Sequence, residues 1–304
     1  MEDFLGIAEL GTKTLQDLLD TAESMAEVLT RRVKKVPTLR GRSVANVFFE
    51  PSTRTRNAFE LAAKYLSADV VNFTGGGSSL EKGETVWDTV RTLEALGVDA
   101  VVVRHRTSGV PEAMARQLDI PVINAGDGEH EHPTQALLDL LTVRQRFGHI
   151  AGLTVAIVGD VLHSRVARSD LYGFSALGAR VILAGPPSLV PEDLAEPPVR
   201  VTWSLEEALA EADVIQVLRI QRERQQEGYI PSLQEYRARW GITRERLAQA
   251  KPHALILHPG PQNRGVEIDS DVVDGSQSAI LRQVQNGVAV RMAVLYRLLG
   301  GEPE

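Results

Sequence analysis

Residues 44–56 read VANVFFEPSTRTR. The run from Val44 to Phe49 is almost continuously apolar, as strands covered on both faces of a parallel sheet are. Pro51 ends it, because proline cannot donate to a strand ladder. Five residues of hydroxyls and guanidiniums follow, Ser52, Thr53, Arg54, Thr55 and Arg56. From Thr55 to Leu66 the apolar residues Ala58, Phe59, Ala62, Tyr65 and Leu66 recur at helical spacing. The segment is therefore predicted to be a buried strand that turns directly into a helix. At such a junction the helix N-terminus presents unpaired N–H groups and a partial positive charge at the carboxyl end of the sheet, where anions bind. Ser52 suits a helix cap, and Arg54 and Arg56 suit bidentate contact with phosphate. Two readings stand on these residues alone: a phosphate cradle, or an ordinary capped helix with exposed arginines.

The same alternation runs through the chain. Strands are predicted near Val70–Phe73, Ala100–Arg104 and Pro121–Ile123, then near Thr154–Val158, Arg180–Leu183, Asp213–Leu218 and Ala254–Leu257. Helices are predicted over Thr85–Leu96, over Pro133–Phe147 and over Gly287–Leu299, the last with Val290, Val294 and Leu298 on one stripe. The pattern predicts an α/β fold of two domains, each a mostly parallel sheet flanked by helices. A length of 304 residues agrees with two domains of roughly 150 residues. The expected division places 1–131 in the first domain and 132–286 in the second, with the helix at 287–304 returning to the first and Pro133–Phe147 bridging them.

Composition narrows the function classes. Hydrophobic residues at 43% and charged residues at 24% are ordinary for a soluble globular protein. No basic leader and no apolar run of membrane length is present, so the expected location is cytoplasmic. A formal net charge of -7 argues against a nucleic-acid surface, and anionic partners would need a local basic pocket. With no cysteine, the chain has no disulfide, thiolate catalysis or cysteine-ligated zinc. Nucleotide motifs are missing as well. The strand Thr154–Val158 runs into GDVLHSR at 159–165 with Gly159 alone where a dinucleotide turn needs three glycines, and no phosphate-binding G-x-x-x-x-G-K-[ST] occurs.

Three further stretches carry chemistry. Arg165 closes the GDVLHSR loop, as an anion contact or as a surface or ion-paired arginine. In GDGEHEHPTQ, residues 126–135, Asp127, His130 and His132 suggest a metal set, although acidic residues in a Gly-containing loop equally describe a solvated turn. His132 and Gln135, around Pro133, form an imidazole and amide pair able to grip a polarised carbonyl, or a structural histidine with its neighbour. No metal site is assigned. In GGGSSLEKGET, 75–85, three glycines lead to Ser79 and Lys82 ahead of a helix that Thr85 begins, and composition alone describes a solvated loop.

Taken in order, FFEPSTRTRNAFE, SSLEKGET, VVVRH, HPTQALLDL, HSRVARS, LRIQRER and HPGPQNRGVEI resemble the catalytic chains of the aspartate transcarbamoylase family over nearly the whole length. The sister ornithine family shares the first and fourth motifs but carries a Cys in a His-Cys-Leu-Pro motif; this chain reads HPGP at 258–261. Gly260 replaces a common Leu, and Glu81 precedes Lys82 where some members have two lysines. The resemblance implies a transcarbamoylase fold and a cofactor-free reaction in pyrimidine biosynthesis. The amine of L-aspartate attacks the carbonyl carbon of carbamoyl phosphate, and phosphate leaves.

It further implies roles for matched positions. Ser52, Thr53, Arg54 and Thr55 would hold the phosphate, with Arg54 neutralising the leaving group. Thr55, Arg104 and His132 would polarise the carbonyl, and Gln135 with main-chain groups at Pro259, Gly260 and Pro261 would fix the carbamoyl amide. Arg165, Arg219, Gln221 and Lys82 would bind aspartate, and Glu50 and Glu223 would either steer Arg165 and Arg219 as the domains close or be ordinary surface acids. Ser79 and Lys82 would come from the neighbouring subunit of a homotrimer. Regulatory chains or a dihydroorotase are possible additional partners; nucleic acid and membrane are not. An anion-binding homologue without activity, and a transcarbamoylase acting on another amine, are the competing readings.

Overall fold

The computed structural model describes residues 2–74, 85–195, 199–221 and 229–300. The stretch Gly75–Gly77, Ser79, Lys82 and Glu223 fall outside the described residues. The chain divides into two compact units, Met1–Leu141 with Val284–Glu304, and Thr142–Gln283.

Unit 1 contains strands β1 (Ser43–Phe48), β2 (Asp69–Thr74), β3 (Ala100–His105) and β4 (Val122–Asp127), and helices α1 (Thr12–Thr30), α2 (Thr53–Tyr65), α3 (Val86–Ala95) and α4 (Val110–Ala115). Its sheet is parallel throughout, in the order β2-β1-β3-β4, with Val44 level with Val70 on one side and Ala100 on the other. One face is packed by Val90 and Leu93 of α3 and Met114 of α4 against Ala45, Val47, Val101, Val103 and Val122. Thr85 begins α3 as expected: its Oγ1 accepts from Asp88 N–H at 3.2 Å, and Asp88 Oδ2 accepts from Thr85 N–H at 3.3 Å. This reciprocal cap satisfies two donors that a helix start leaves open.

Helix α5 (Pro133–Phe147) begins in unit 1 and ends in unit 2, and α11 (Ile280–Leu299) begins in unit 2 and ends in unit 1. Between them unit 2 contains β5 (Thr154–Val158), β6 (Arg180–Ala184), β7 (Val199–Thr202), β8 (Val214–Val217) and β9 (Leu255–Leu257), with helices α6 (Arg165–Ala176), α7 (Leu205–Glu211), α8 (Leu233–Trp240), α9 (Arg244–Leu247) and α10 (Ser270–Val273). Its sheet is also parallel, in the order β7-β6-β5-β8-β9. Among the described residues no helix is long and apolar enough to cross a membrane. Two parallel sheets flanked by helices are the predicted class; helices α1, α4 and α6 to α10 and strand β7 are additions to the elements located from the sequence.

Candidate active site

In unit 1 the chain leaves the two central strands in opposite directions, β1 toward β2 and β3 toward β4. Such a reversal opens a crevice beyond the carboxyl ends of the strands. The segment after β1 is Ser52–Arg56, and Arg104 lies near the end of β3. Ser52 occupies the cap position of α2 in extended backbone, but its hydroxyl makes no capping bond. The expected cap is therefore absent, and the helix start keeps its N–H groups unsatisfied by that side chain. Thr53 and Arg54 are exposed, and Arg54 has no ion-pair partner among the described residues. Thr55 is buried with its side chain turned inward.

Three groups from separate elements meet there. Arg104 Nη1 donates to Thr55 Oγ1 at 3.3 Å and lies 3.5 Å from His132 Nε2, while Thr55 Oγ1 lies 3.4 Å from the same nitrogen. Arg104 is held from behind, with Nε donating to Glu50 Oε1 at 2.6 Å and Nη1 donating to Ala125 O at 3.3 Å. Glu50, for which the resemblance implies a role toward Arg165 and Arg219, also orients Arg104. Next to it, burial holds the His105 pKa below the usual imidazole range, with the charge of Arg106 adding to the effect.

The loop before α5 is not the solvated turn that its acidic residues suggested. Asp127 and Glu131 are each 1% exposed. Asp127 accepts from Gly109 N–H at 2.7 Å, from Asn124 Nδ2 at 2.8 Å and from Glu131 N–H at 3.2 Å, and its Oδ2 lies 3.1 Å from His130 Nδ1. Glu131 accepts from the N–H groups of Ile7 and Ala8 at 2.8 and 3.2 Å. These carboxylates brace the turn that delivers His132, and among the described residues no group of three or more His, Asp or Glu is arranged to hold a metal ion.

One turn into α5, Gln135 Nε2 donates to both oxygens of the fully buried Asp139, at 3.1 and 3.2 Å. Only the nitrogen end of an amide can donate to a carboxylate, so this contact turns Oε1 away from Asp139. The sequence reading did not include Asp139, although its i, i+4 spacing from Gln135 within one helix is visible in HPTQALLDL.

Unit 2 repeats the device. The chain leaves β5 toward β6 and leaves β8 toward β9, so the loops after β5 and β8 share a switch point. After β5, Gly159 adopts φ +127°, and an added Cβ would stand 3.0 Å from Tyr236 Oη, so glycine is required at the turn. Arg165 follows as the first residue of α6, 4% exposed, behind a Ser164 cap whose Oγ accepts from Ala167 N–H at 3.1 Å. A buried arginine is not the surface residue that its loop position allowed. After β8 come Arg219 and Gln221, both partly exposed, on either side of the buried Ile220. After β9, Pro259, Gly260 and Pro261 form a turn with Gly260 at φ +65°.

Residues 2–145 match the family described as aspartate/ornithine carbamoyltransferase, carbamoyl-P binding domain, and residues 151–298 match its Asp/Orn binding domain. An aspartate carbamoyltransferase catalytic subunit from Pelotomaculum thermopropionicum is 58% identical over 300 residues, covering 99% of this chain and 97% of the relative. The crystal structure of aspartate transcarbamoylase from Trypanosoma cruzi in complex with carbamoyl phosphate and aspartate is similar at TM-score 0.89 and 31% identity, covering 98% of this chain and 97% of that one. Ornithine carbamoyltransferase from Pyrococcus furiosus is similar at TM-score 0.88 and 29% identity, covering 99% and 98%. The architecture is thus common to both branches and sequence separates them: the chain belongs to the aspartate carbamoyltransferase family.

Proposed function

We propose that the chain transfers the carbamoyl group of carbamoyl phosphate to the amine of L-aspartate, giving N-carbamoyl-L-aspartate and phosphate, as an early step of pyrimidine biosynthesis in the cytoplasm. The observation that carries the reading is the convergence of Thr55 Oγ1, Arg104 Nη1 and His132 Nε2 within 3.3–3.5 Å of one another, beside the open start of α2. An oxygen seated among them takes N–H and O–H donors from Arg104 and Thr55, and a third from the Nε2–H form of His132. That arrangement favours the charge that grows on a carbonyl oxygen during acyl transfer.

In this reading unit 1 holds carbamoyl phosphate. The phosphate sits on the N–H groups of α2 with the hydroxyls of Ser52, Thr53 and Thr55, and Arg54 neutralises the leaving oxygen. The carbamoyl NH2 donates to Gln135 Oε1, which the Asp139 contact leaves facing away, and to main-chain carbonyls of Pro259, Gly260 and Pro261. Arg165, Arg219 and Gln221 take the two carboxylates of aspartate; a cationic ornithine side chain would meet like charge there. No side chain need attack the substrate, because orientation alone is worth about 7–11 kcal/mol in such reactions. Support comes from the 58%-identical relative and from the Trypanosoma cruzi enzyme solved with carbamoyl phosphate and aspartate.

The purified chain, given carbamoyl phosphate and a panel of amines, is expected to release phosphate with aspartate and not with ornithine. Turnover with another amine overturns the acceptor assignment, and phosphate binding without turnover overturns the enzyme. The working assembly in this proposal is a homotrimer in which Ser79 and Lys82 of one subunit complete the site of the next, with regulatory chains or a dihydroorotase as further partners. Inactive Lys82→Ala and Arg54→Ala chains, dissociated and reassembled together, are expected to regain part of the activity. Hybrid trimers that form on a native gel yet stay inactive refute the shared site.

A further inference from the structure

The motif HPGPQNRGVEI contains more than the turn at 259–261. His258 and Glu267 are 2% and 0% exposed, and neither contacts substrate in the reading above. Gly260 N–H donates to His258 Nδ1 at 2.8 Å, so this nitrogen is an acceptor and the ring proton sits on Nε2. Nε2 lies 3.2 Å from Glu267 Oε1. The same Oε1 accepts from Asn263 N–H at 2.6 Å, and Asn263 Nδ2 donates to Ile220 O at 3.2 Å. Ile220 is the residue between Arg219 and Gln221. One buried oxygen therefore stands behind two segments: through His258 it braces the Pro259–Pro261 turn, and through Asn263 it braces the backbone that presents Arg219 and Gln221.

The stem of this arrangement is fixed. His258 N–H donates to Gln283 Oε1 at 2.9 Å, and the main chain at Glu267 accepts from Ile242 N–H at 2.9 Å. Neither the histidine nor the carboxylate can drift without breaking buried hydrogen bonds, each costing the desolvation of an unpaired group. Glu267 Oε2 makes no hydrogen bond among the described residues, so the contribution of the side chain to this network passes through the single atom Oε1.

We infer that Glu267 is a positioning residue that sets the carbamoyl-amide turn and the aspartate-binding segment together, with His258 and Asn263 as its two arms. The inference rests on the proposed roles of Pro259–Pro261, Arg219 and Gln221, and adds that their geometry has one shared origin. A backbone displacement of about 1 Å is enough to cost up to about 100-fold in rate. Loss of Oε1 consequently acts on both substrates, whereas loss of one arm acts on one.

The test compares KM values for both substrates in Glu267→Met, Glu267→Gln, Asn263→Ala and Arg219→Ala, with thermal melting of each. Glu267→Met, which keeps the volume and removes the acceptor, is expected to raise both KM values about 10-fold or more. Glu267→Gln keeps an acceptor oxygen and is expected to stay within about threefold of wild type on both. Asn263→Ala leaves His258 and Glu267 in place, and is expected to raise the aspartate KM alone, by about fivefold; this arm remains readable where Glu267→Met fails to fold. A purely structural Glu267 would lower the melting temperature and leave both KM values of the folded enzyme unchanged, and that result overturns the inference. So does an Asn263→Ala enzyme with an unaltered aspartate KM, provided Arg219→Ala raises it. An Arg219→Ala enzyme with normal aspartate KM instead overturns the proposed aspartate site itself.

Discussion

Replacing Arg104 by lysine keeps the charge and removes the fork, which separates geometry from electrostatics at the centre of the candidate site. The contacts of the arginine include Glu50 Oε1 at 2.6 Å through Nε, and Thr55 Oγ1, Ala125 O and His132 Nε2 at 3.3, 3.3 and 3.5 Å through Nη1. A lysine carries its three donors on one atom at the end of a flexible stem and cannot face Glu50 and Thr55 at once. Glu50 is 17% exposed at its side chain and will attract the ammonium, since opposite charges interact strongly where solvent is largely excluded. The donor aimed at the carbonyl oxygen is then lost. One such donor is worth about 2.7–4 kcal/mol in the transition state, or about 100- to 1,000-fold in kcat at 1.36 kcal/mol per tenfold. Stability should fall by only about 1 kcal/mol, or about 2–4 °C in Tm, because the pair with Glu50 survives in altered form. Steady-state kinetics at saturating substrates and a thermal melt measure both. A folded Arg104→Lys enzyme with kcat within about fivefold of wild type refutes the argument that Nη1 is aimed at the reacting oxygen.

Arg54→Ala should keep its fold, since Arg54 is exposed and has no ion-pair partner among the described residues, yet lose at least about 100-fold in kcat as the leaving phosphate goes unneutralised; near-normal kcat ends that assignment. Arg219→Ala should raise the aspartate KM steeply with carbamoyl phosphate binding unchanged, and equal loss on both substrates contradicts the assignment of one substrate to each unit. Asp213 supplies a pH test. Burial alone would raise its pKa, but hydrogen bonds from Lys251 Nζ at 2.7 Å, Thr154 N–H at 2.9 Å and His253 Nε2 at 3.0 Å outweigh burial and hold it below the usual carboxylate value. A depressed folded pKa contributes stability above the unfolded value of about 3.9 and loses it as pH falls through the folded value. Asp213→Asn should therefore be less stable than wild type at pH 7, by about 1–3 kcal/mol, with the gap closing below about pH 4; a gap that widens in acid refutes this.

Much of the fold was legible because parallel strands buried on both faces leave uninterrupted apolar runs. Val44–Phe48, Ala100–Val103 and Thr154–Val158 are strands in which nearly every residue is buried. Strand β7 was not legible: it lies at the sheet edge with Arg200 exposed, so Val199–Thr202 reads as a weak alternation of four residues. Helix α1 was legible and missed, since Leu15, Leu18, Leu19, Ala22, Met25 and Val28 keep helical spacing within a helix of 19 residues. In the candidate site, residues carrying unusual side chains in short motifs stood out, as Arg54, His132 and Arg165 did. Their supports did not. Asp139 is a lone acid inside a helix, Asn263 and Glu267 are ordinary polar residues in a loop, and nothing in one sequence says that Glu267 is fully buried or that Asn263 reaches back 43 positions to Ile220. Burial and long-range pairing are tertiary facts, and local patterns are silent on them.

Carbamoyl transfer to aspartate is read out by following the carbon–nitrogen bond that the reaction makes. Carbamoyl phosphate labelled with 13C at its carbonyl and L-aspartate labelled with 15N at its amine are supplied to the purified chain and observed by NMR. The expected result is a new carbonyl resonance split by one-bond coupling to 15N, growing in step with inorganic phosphate and at least about 100-fold more slowly with the Arg54→Ala enzyme. Phosphate release with no coupled 13C–15N product, the label appearing instead as bicarbonate, or a coupled product with 15N-ornithine in place of aspartate, would contradict it.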